Sequence, residues 1–101
     1  MMFKVILKRT VPAGKEKELL ALVTQLRIGA SGQEGYISGE TLHNSAKPEE
    51  YVVISIWDSE KSWLDWLASE ARIAVQTQID ELLGTPTICE SYVYPHMTHT
   101  V

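Results

Sequence analysis

The hydrophobic residues of the chain recur alternately with the two-residue period of a strand and the 3.6-residue period of a helix, and this succession restricts the fold more than any other feature. The order β-α-β-β-α-β predicts a ferredoxin-like α+β fold, in which two right-handed crossovers place both helices on one face of a four-stranded antiparallel sheet. The predicted elements are a strand at 2–11, a helix at 15–27, strands at 36–44 and 51–57, a helical segment at 59–83 and a strand at 87–94.

Local signals predict where the helices begin and end. Pro12 is expected at the first position of the first helix, where its missing N–H is not needed, and Gly29 and Gly32 are expected to end that helix. The Asp-Ser pair at 58–59 provides an N-cap for the second helical segment, and Ser69 is a second N-cap candidate inside it. We therefore expect the second segment to bend next to Ser69.

The predicted strands are apolar on both faces, although two helices can cover only one face. In the third strand, Val53 and Trp57 point one way while Ile54 and Ile56 point the other way. An uncovered face of this kind would exceed the few hundred Å² of contiguous apolar surface that monomers usually tolerate. We therefore expect a homodimer in which the open sheet faces pack together and bury roughly 800 Å² on each partner.

Charge and cysteine content limit the partners and the compartment. Nine Lys and Arg against 13 Asp and Glu give 9 − 13 = −4, and without a basic stripe nucleic acid is not an expected partner. The sequence shows no signal-peptide pattern and no membrane span, so no membrane is expected either. The single Cys89 fits a reducing, cytoplasmic compartment. With no basic residue beside it in sequence, we expect Cys89 to be a small buried apolar side chain.

Three short motifs carry a family resemblance. They are Val-Pro-Ala-Gly-Lys at 11–15, Glu-Gly-Tyr-Ile-Ser-Gly at 34–39 and Ile-Trp-Asp-Ser-Glu at 56–60. With these motifs the chain resembles the antibiotic biosynthesis monooxygenase family over residues 2–95. The length of 101 residues predicts a single domain, at 1–95, and the lack of periodicity after it predicts a C-terminal tail at 96–101. The resemblance implies a dimeric α/β barrel. It also implies oxidation of a small aromatic or quinol-like substrate by O2 without a prosthetic group.

Two branches of that family carry chemistry at positions where this chain differs. The Asn, Trp and haem-ligating His of haem-degrading relatives correspond here to Leu7, Trp66 and Val75, so haem degradation of that type is not expected. Quinol-oxidising relatives carry a His in an S-x-x-H run, and the corresponding run here is Ser-Glu-Ala-Arg at 69–72. The family His is therefore absent.

Three tryptophans within ten residues are the first candidates for a ligand pocket. The resemblance implies a substrate site between the sheet and the helices, with Trp57 and Trp63 lining it and Trp66 taking part in catalysis. The alternative is core packing, because large aromatic side chains dominate small cores. A buried indole N–H without a protein partner would favour the pocket.

Three polar residues are further candidates. His43 is the only histidine inside the predicted fold and is the candidate general base, although at a strand end it would also fit a solvated side chain. Arg72 is a candidate for binding an anionic oxygen of the substrate, or else for pairing within its own helix. Tyr36 is a candidate hydrogen-bond donor to substrate, although strands favour tyrosine on propensity alone.

Two other functions are compatible with the sequence. One is a non-catalytic or stress-response module that binds a small hydrophobic ligand in the same pocket. The other is a haem-binding protein with His43 as axial ligand. No metal site is expected, because His96 and His99 lie in the tail outside the predicted scaffold.

Overall fold

The computed structural model describes residues 2–95 and contains the predicted elements in the predicted order. The four strands form one antiparallel sheet in the order β2-β3-β1-β4, with the helices on one face, which confirms the ferredoxin-like α+β fold. The tail, with His96 and His99, lies outside the described residues. The elements are β1 Phe3–Thr10, α1 Glu16–Ser31, β2 Tyr36–His43, β3 Glu50–Trp57, α2 Glu60–Leu67, α3 Glu70–Leu83 and β4 Ile88–Val93.

The strand registers separate the two faces of the sheet. Leu7 pairs with Val53 and, on its other side, with Cys89, so these three residues point towards the helices. Ile6 pairs with Ile54, and both point to the opposite, open face. The apolar side chains of that open face are Ile6, Leu42, Val52, Ile54, Ile56, Ile88 and Tyr92.

The second helical segment bends where the sequence predicts. The Ser59 hydroxyl accepts a hydrogen bond from the Ser62 N–H and caps α2, and the Ser69 hydroxyl accepts one from the Arg72 N–H and caps α3. Two separate helices therefore replace one continuous helix. Gly84 ends α3 in the left-handed conformation, with φ of 71°. None of the helices within residues 2–95 is long and apolar enough to cross a bilayer.

The first helix differs from the prediction at both ends. It begins at Glu16, because Pro12 belongs to a preceding turn in which its carbonyl accepts a 3.1 Å hydrogen bond from the Lys15 N–H. It also continues through Gly29 and ends at Gly32. A Cβ on Gly29 would lie only 2.7 Å from Cη2 of Trp66. Gly29 therefore gives the indole space instead of ending the helix.

Gly35 joins α1 to β2 at a second crowded position. Its φ is +89°, and its carbonyl accepts a 2.7 Å hydrogen bond from the Asp58 N–H. A Cβ on Gly35 would overlap the side chains of Asp58 and Ser62, which are themselves joined by a 2.8 Å hydrogen bond. Gly14 also has a positive φ, of +86°, but a Cβ there would meet nothing within 4 Å.

This contrast predicts different costs for the same substitution. Gly14→Ala should lower the free energy of unfolding by about 1–2 kcal/mol, because it adds backbone strain alone. Gly35→Ala should lower it by about 2–4 kcal/mol, because overpacking against Asp58 and Ser62 adds to the same strain. Urea unfolding of both variants measures the difference. Equal losses would contradict the crowding at Gly35.

Candidate functional site

A cavity lies between the sheet and the helices that cover it. Its volume is about 50 Å³. Apolar side chains from β1, β3 and α1 form most of the wall, together with Tyr36, Trp63 and Trp66. Three arginines complete it, and no carboxylate or imidazole among the described residues takes part in the lining.

Trp57 stands behind this wall. It is fully buried, and its indole N–H donates a 2.7 Å hydrogen bond to Oγ of Ser55. Its ring contacts those of Tyr36 and Trp63 edge-on, with centroid separations of 5.3 Å and 5.9 Å. Trp57 does not line the cavity itself and influences it through these two neighbours.

Trp63 and Trp66 do line the cavity. Both lie on the buried side of α2. Neither indole N–H has a hydrogen-bond partner among residues 2–95, yet no completely buried side-chain donor is left unpaired in that part of the chain. Both N–H groups are therefore still accessible to solvent. A buried indole N–H without a partner, which would favour the pocket, is therefore absent within residues 2–95, and the place of both rings in the cavity lining is what favours a pocket wall.

A β-bulge brings Tyr36 into the cavity. Strict alternation would place Tyr36 on the open face, but the register between β2 and β3 shifts between Tyr36 and Ser38. Ile37 occupies the bulge and is half exposed, while the Tyr36 ring turns towards the helices. The hydroxyl of Tyr36 lies over Gly39, where a Cβ would be 2.6 Å from it. A larger residue than glycine at position 39 would move that hydroxyl.

Arg9 is a lining residue that the sequence reasoning did not identify. Its Nε donates to Oγ1 of Thr87 at 2.9 Å and its Nη2 donates to Oε1 of Gln76 at 3.0 Å. Burial, with a further contribution from the nearby Arg72 charge, lowers the pKa of Arg9 to about 10. Arg9 shares its pleat face with Phe3, Val5 and Leu7, and this parity is the signal that would have found it.

Arg72 lies beside Arg9 and is also buried. Its guanidinium stacks over the Trp63 ring at 5.5 Å from the centroid. No salt bridge joins Arg72 to any carboxylate within residues 2–95, so the pairing along its own helix that we considered does not occur there. Burial lowers the pKa of Arg72, which indicates a cation held away from water. The third arginine, Arg27, donates a 2.6 Å hydrogen bond to Oγ1 of Thr41.

His43 lies apart from this group. It is exposed at the end of β2, where its Nδ1 is 3.3 Å from the Pro48 carbonyl oxygen and its ring packs against Tyr51. Arg27 contacts β2 at Thr41 and not at His43. Thr41 lies two residues before His43 on the same face of the strand. The structure thus brings together Tyr36, Trp63, Trp66 and Arg72, but not His43.

The prediction for Cys89 was wrong. The residue is exposed on edge strand β4, and the fold brings two cations near it although none is close in sequence. Partial burial of the thiol raises its pKa, while Arg72 and Arg9 act in the opposite direction. Because burial has the larger effect, the thiol and not the thiolate is the favoured form.

Comparison with known proteins identifies the family to which this geometry belongs. The sequence model described as antibiotic biosynthesis monooxygenase matches residues 2–78. No curated protein matches the chain in sequence.

Solved structures share the fold at low sequence identity. A conserved protein from Methanosarcina mazei is 21% identical, with 94% of each chain covered and a TM-score of 0.87. Rv0793 from Mycobacterium tuberculosis is 17% identical, with 94% of this chain and 96% of that chain covered and a TM-score of 0.83. SnoaB from Streptomyces nogalater, described as a cofactor-independent oxygenase, is 17% identical, with 95% of each chain covered and a TM-score of 0.82.

The contact between Tyr36 and Gly39 predicts a matched pair of effects. Gly39→Ala should displace the Tyr36 hydroxyl, and Tyr36→Phe should remove it, so both should weaken binding of a hydroxylated aromatic ligand by about tenfold, the effect of one lost hydrogen bond. Both variants should remain folded, as checked by circular dichroism. Calorimetric titration measures the affinity. Unchanged affinity in both would show that the hydroxyl does not contact the ligand.

Proposed function

The chain belongs to the antibiotic biosynthesis monooxygenase family, and from this we propose that it oxidises a small aromatic or quinol-like substrate with O2 and without a prosthetic group. The observation that supports the proposal most directly is the cavity wall. Trp63 and Trp66 present flat apolar surfaces whose N–H groups have no partner within residues 2–95, and three guanidinium groups share the cavity with them. Such a site suits an electron-rich ring in its anionic form.

The reaction needs no protein-derived electron. A substrate C–H or O–H loses its proton, and the resulting anion transfers one electron to O2, which gives a substrate radical and superoxide. The two combine to a peroxide at ring carbon, and protonation with loss of water leaves a carbonyl. For an anthrone-like CH2 the balance is CH2 + O2 → C=O + H2O. The site must bind the anion, exclude bulk water and position O2.

The proposed roles follow from where the side chains lie. Arg72, with the other two arginines, stabilises the substrate anion and lowers the substrate's own pKa. Trp66, the candidate catalytic tryptophan, and Trp63 hold the ring, and Tyr36 donates a hydrogen bond to an oxygen on it. Trp57 supports these residues from behind. His43 stays a candidate base that would have to act from the strand end.

The small volume of the cavity limits how a substrate can enter it. A cavity of about 50 Å³ is far below the roughly 300–1,000 Å³ of typical ligand sites. A substrate ring therefore enters only when part of the wall moves outward. The long Arg27 side chain, attached to β2 through one hydrogen bond to Thr41, is the wall element that we expect to move first.

The oxygenase proposal predicts O2 consumption by the purified protein with a quinol or anthrone-like substrate. Trp66→Phe should lower turnover, because the ring loses its platform and the indole N–H, while Trp66→Ala should also lower stability by about 3–5 kcal/mol. An oxygen electrode measures uptake, and absorbance spectra with metal analysis of the protein check for flavin, haem and metal. Activity that depends on a bound cofactor would contradict the proposal.

The pH profile distinguishes the two routes to the substrate anion. If the arginines lower the substrate's own pKa, then the rate should rise with pH at a midpoint that moves with the substrate and is unchanged in His43→Ala. If His43 is the general base, then His43→Ala should lower the rate by roughly 100- to 10,000-fold. Circular dichroism of His43→Ala corrects the rate for the folded fraction.

A binding module is the second candidate function. It is favoured by the small cavity volume and by a lining, within the described residues, that contains no carboxylate or imidazole to move a proton. Calorimetric binding of an electron-rich phenol without any O2 uptake would decide for this module. A Soret shift on haem addition that disappears in His43→Ala would decide for haem binding.

We further propose that the protein is a cytoplasmic homodimer joined through the open faces of its sheets. Seven apolar side chains lie on that face, and the central Ile6 and Ile54 face each other across the β1–β3 pair. Lys8 and Glu90 form a 2.9 Å salt bridge on the same face. A second copy would cover this apolar surface, which a monomer leaves in water.

Neighbouring residues on opposite faces of β3 test the dimer. Ile54→Asp should give a folded protein that sediments near 11.3 kDa, because the charge lies at the proposed interface. Val53→Asp should abolish folding, because that side chain packs under the helices. Sedimentation equilibrium and circular dichroism measure the two effects. A wild-type monomer at micromolar concentration would contradict the proposed dimer.

A further inference from the structure

The cavity contains more positive charge than its own structure neutralises. Arg9, Arg27 and Arg72 line it, and none of the three forms a salt bridge with a carboxylate within residues 2–95. Arg9 and Arg72 are both more than nine-tenths buried. Buried cations are ordinarily paired, so this pair requires a counterion or a ligand that supplies one.

The available hydrogen-bond donors point to the same conclusion. A guanidinium has five N–H donors. Arg9 uses Nε and Nη2 on the neutral oxygens of Thr87 and Gln76. The Arg72 side chain makes no hydrogen bond within the described part of the chain, where its partner is the face of the Trp63 ring. No fully buried donor there lacks a partner, so the Arg72 N–H groups that have no partner within residues 2–95 are accessible, and Arg72 is a lining residue of the cavity.

One carboxylate, that of Asp80, acts on the pair without forming a salt bridge to either arginine. Asp80 acts on both arginines only through space, since the Gln76 side chain lies between them. The amide of Gln76 donates to Oδ1 of Asp80 at 2.8 Å and to Oγ1 of Thr87 at 2.9 Å, while its oxygen accepts from Arg9. Gln76 follows Arg72 by one helical turn and therefore lies on the same side of α3. This network fixes Arg9 and leaves it without a salt-bridge partner in the described part of the chain.

We propose that Arg72 and Arg9 together bind a carboxylate of the substrate, so that this chain acts on an aromatic acid and not on a neutral quinol. This identification of the substrate rests on the proposed function. Two guanidinium groups from different elements match the two oxygens of a carboxylate, and Trp63, already stacked on Arg72, holds the attached ring. Gln76 is a positioning residue for Arg9.

The lowered pKa values of the two arginines agree with this assignment. Each guanidinium loses hydration on burial, and the Arg72 charge adds to the effect on Arg9. Both remain protonated at neutral pH, so the site presents two cations to a ligand. An anion between them would raise both pKa values towards their ordinary range.

The test compares an acid with its neutral isostere in anaerobic calorimetry at pH 7.5. The probes are 3,4-dihydroxybenzoate and 3,4-dihydroxybenzamide, which share an electron-rich ring and differ in charge. Wild-type protein should bind the acid at least about tenfold more tightly, because charge-assisted bonds to guanidinium are stronger than neutral ones. Arg72→Met should remove this preference.

Two further variants keep the test decisive. Gln76→Glu is made together with Asp80→Asn, because Asp80 accepts a hydrogen bond from the Gln76 amide and would otherwise place a second carboxylate 2.8 Å from the new one. This exchange supplies an internal carboxylate to Arg9 with almost no change of shape, so it should also lower affinity for the acid by about tenfold and leave the amide unaffected. Lys17→Met removes one exposed positive charge of α1 outside the cavity and should keep the full preference.

The outcomes separate this inference from the oxygenase proposal. Equal affinity for acid and amide in wild-type protein, or binding of neither, would overturn the carboxylate site even if O2 were consumed with a neutral quinol. A preference for the acid that Lys17→Met retains and that Arg72→Met and the double exchange at positions 76 and 80 lose supports the site, even if neither probe consumes O2. A preference that survives in Arg72→Met and in the double exchange would also overturn it.

Discussion

The edge-on packing of Trp57 against Tyr36 and Trp63 connects the sheet to the helix that carries the site. Trp57 sits at the end of β3 with its N–H donated to Ser55, so its orientation is fixed from within its own strand. Its ring contacts Tyr36 on one side and Trp63 on the other. Trp63 in turn supports the guanidinium of Arg72. Because rigid aromatic contacts transmit position through the whole series, a change at Trp57 would reach the cavity without touching its wall.

The element order and the N-caps of α2 and α3 could be predicted from the sequence because they depend on local chemistry. Periods of two and 3.6 residues identify strands and helices, and Ser59 and Ser69 cap the helices through their own hydroxyls. The prediction for Gly29 was wrong because the role of this residue depends on a contact that is distant in sequence. Its lack of a side chain makes room for Trp66, which is distant in sequence, and no local pattern reveals such a contact. The β-bulge at Ile37 is hidden in the same way, although it decides which face Tyr36 occupies.

The site was only half predictable. The tryptophans and Arg72 stand out by residue type and spacing, whereas Arg9 follows Lys8 near a strand end and looks like one of two solvated cations. Strand parity separates the two, because Arg9 points to the helices and Lys8 points to the open face and pairs with Glu90. Cys89 was wrongly expected to be buried, because its exposed place on edge strand β4 follows from the strand order and not from local sequence. Its cationic neighbours, Arg9 and Arg72, come from other elements as well. Charges that meet only through tertiary structure leave no sequence pattern.

Burial and charge act together in this cavity. Desolvation makes the two buried guanidinium groups unstable as isolated cations, and it makes their attraction for an anion stronger than it would be in water. A carboxylate bound between them would offset the cost of burying the two cations, and their attraction would bind it more tightly than in water. The same field acts on the rest of a bound ring, since a third cation, Arg27, lines the cavity. For a phenol that also carries a carboxylate, the same positive charge would therefore favour ionisation of the phenolic hydroxyl as well. Under the proposed function, charge alone would ionise a bound aromatic acid for reaction with O2, without a base in contact with the ring.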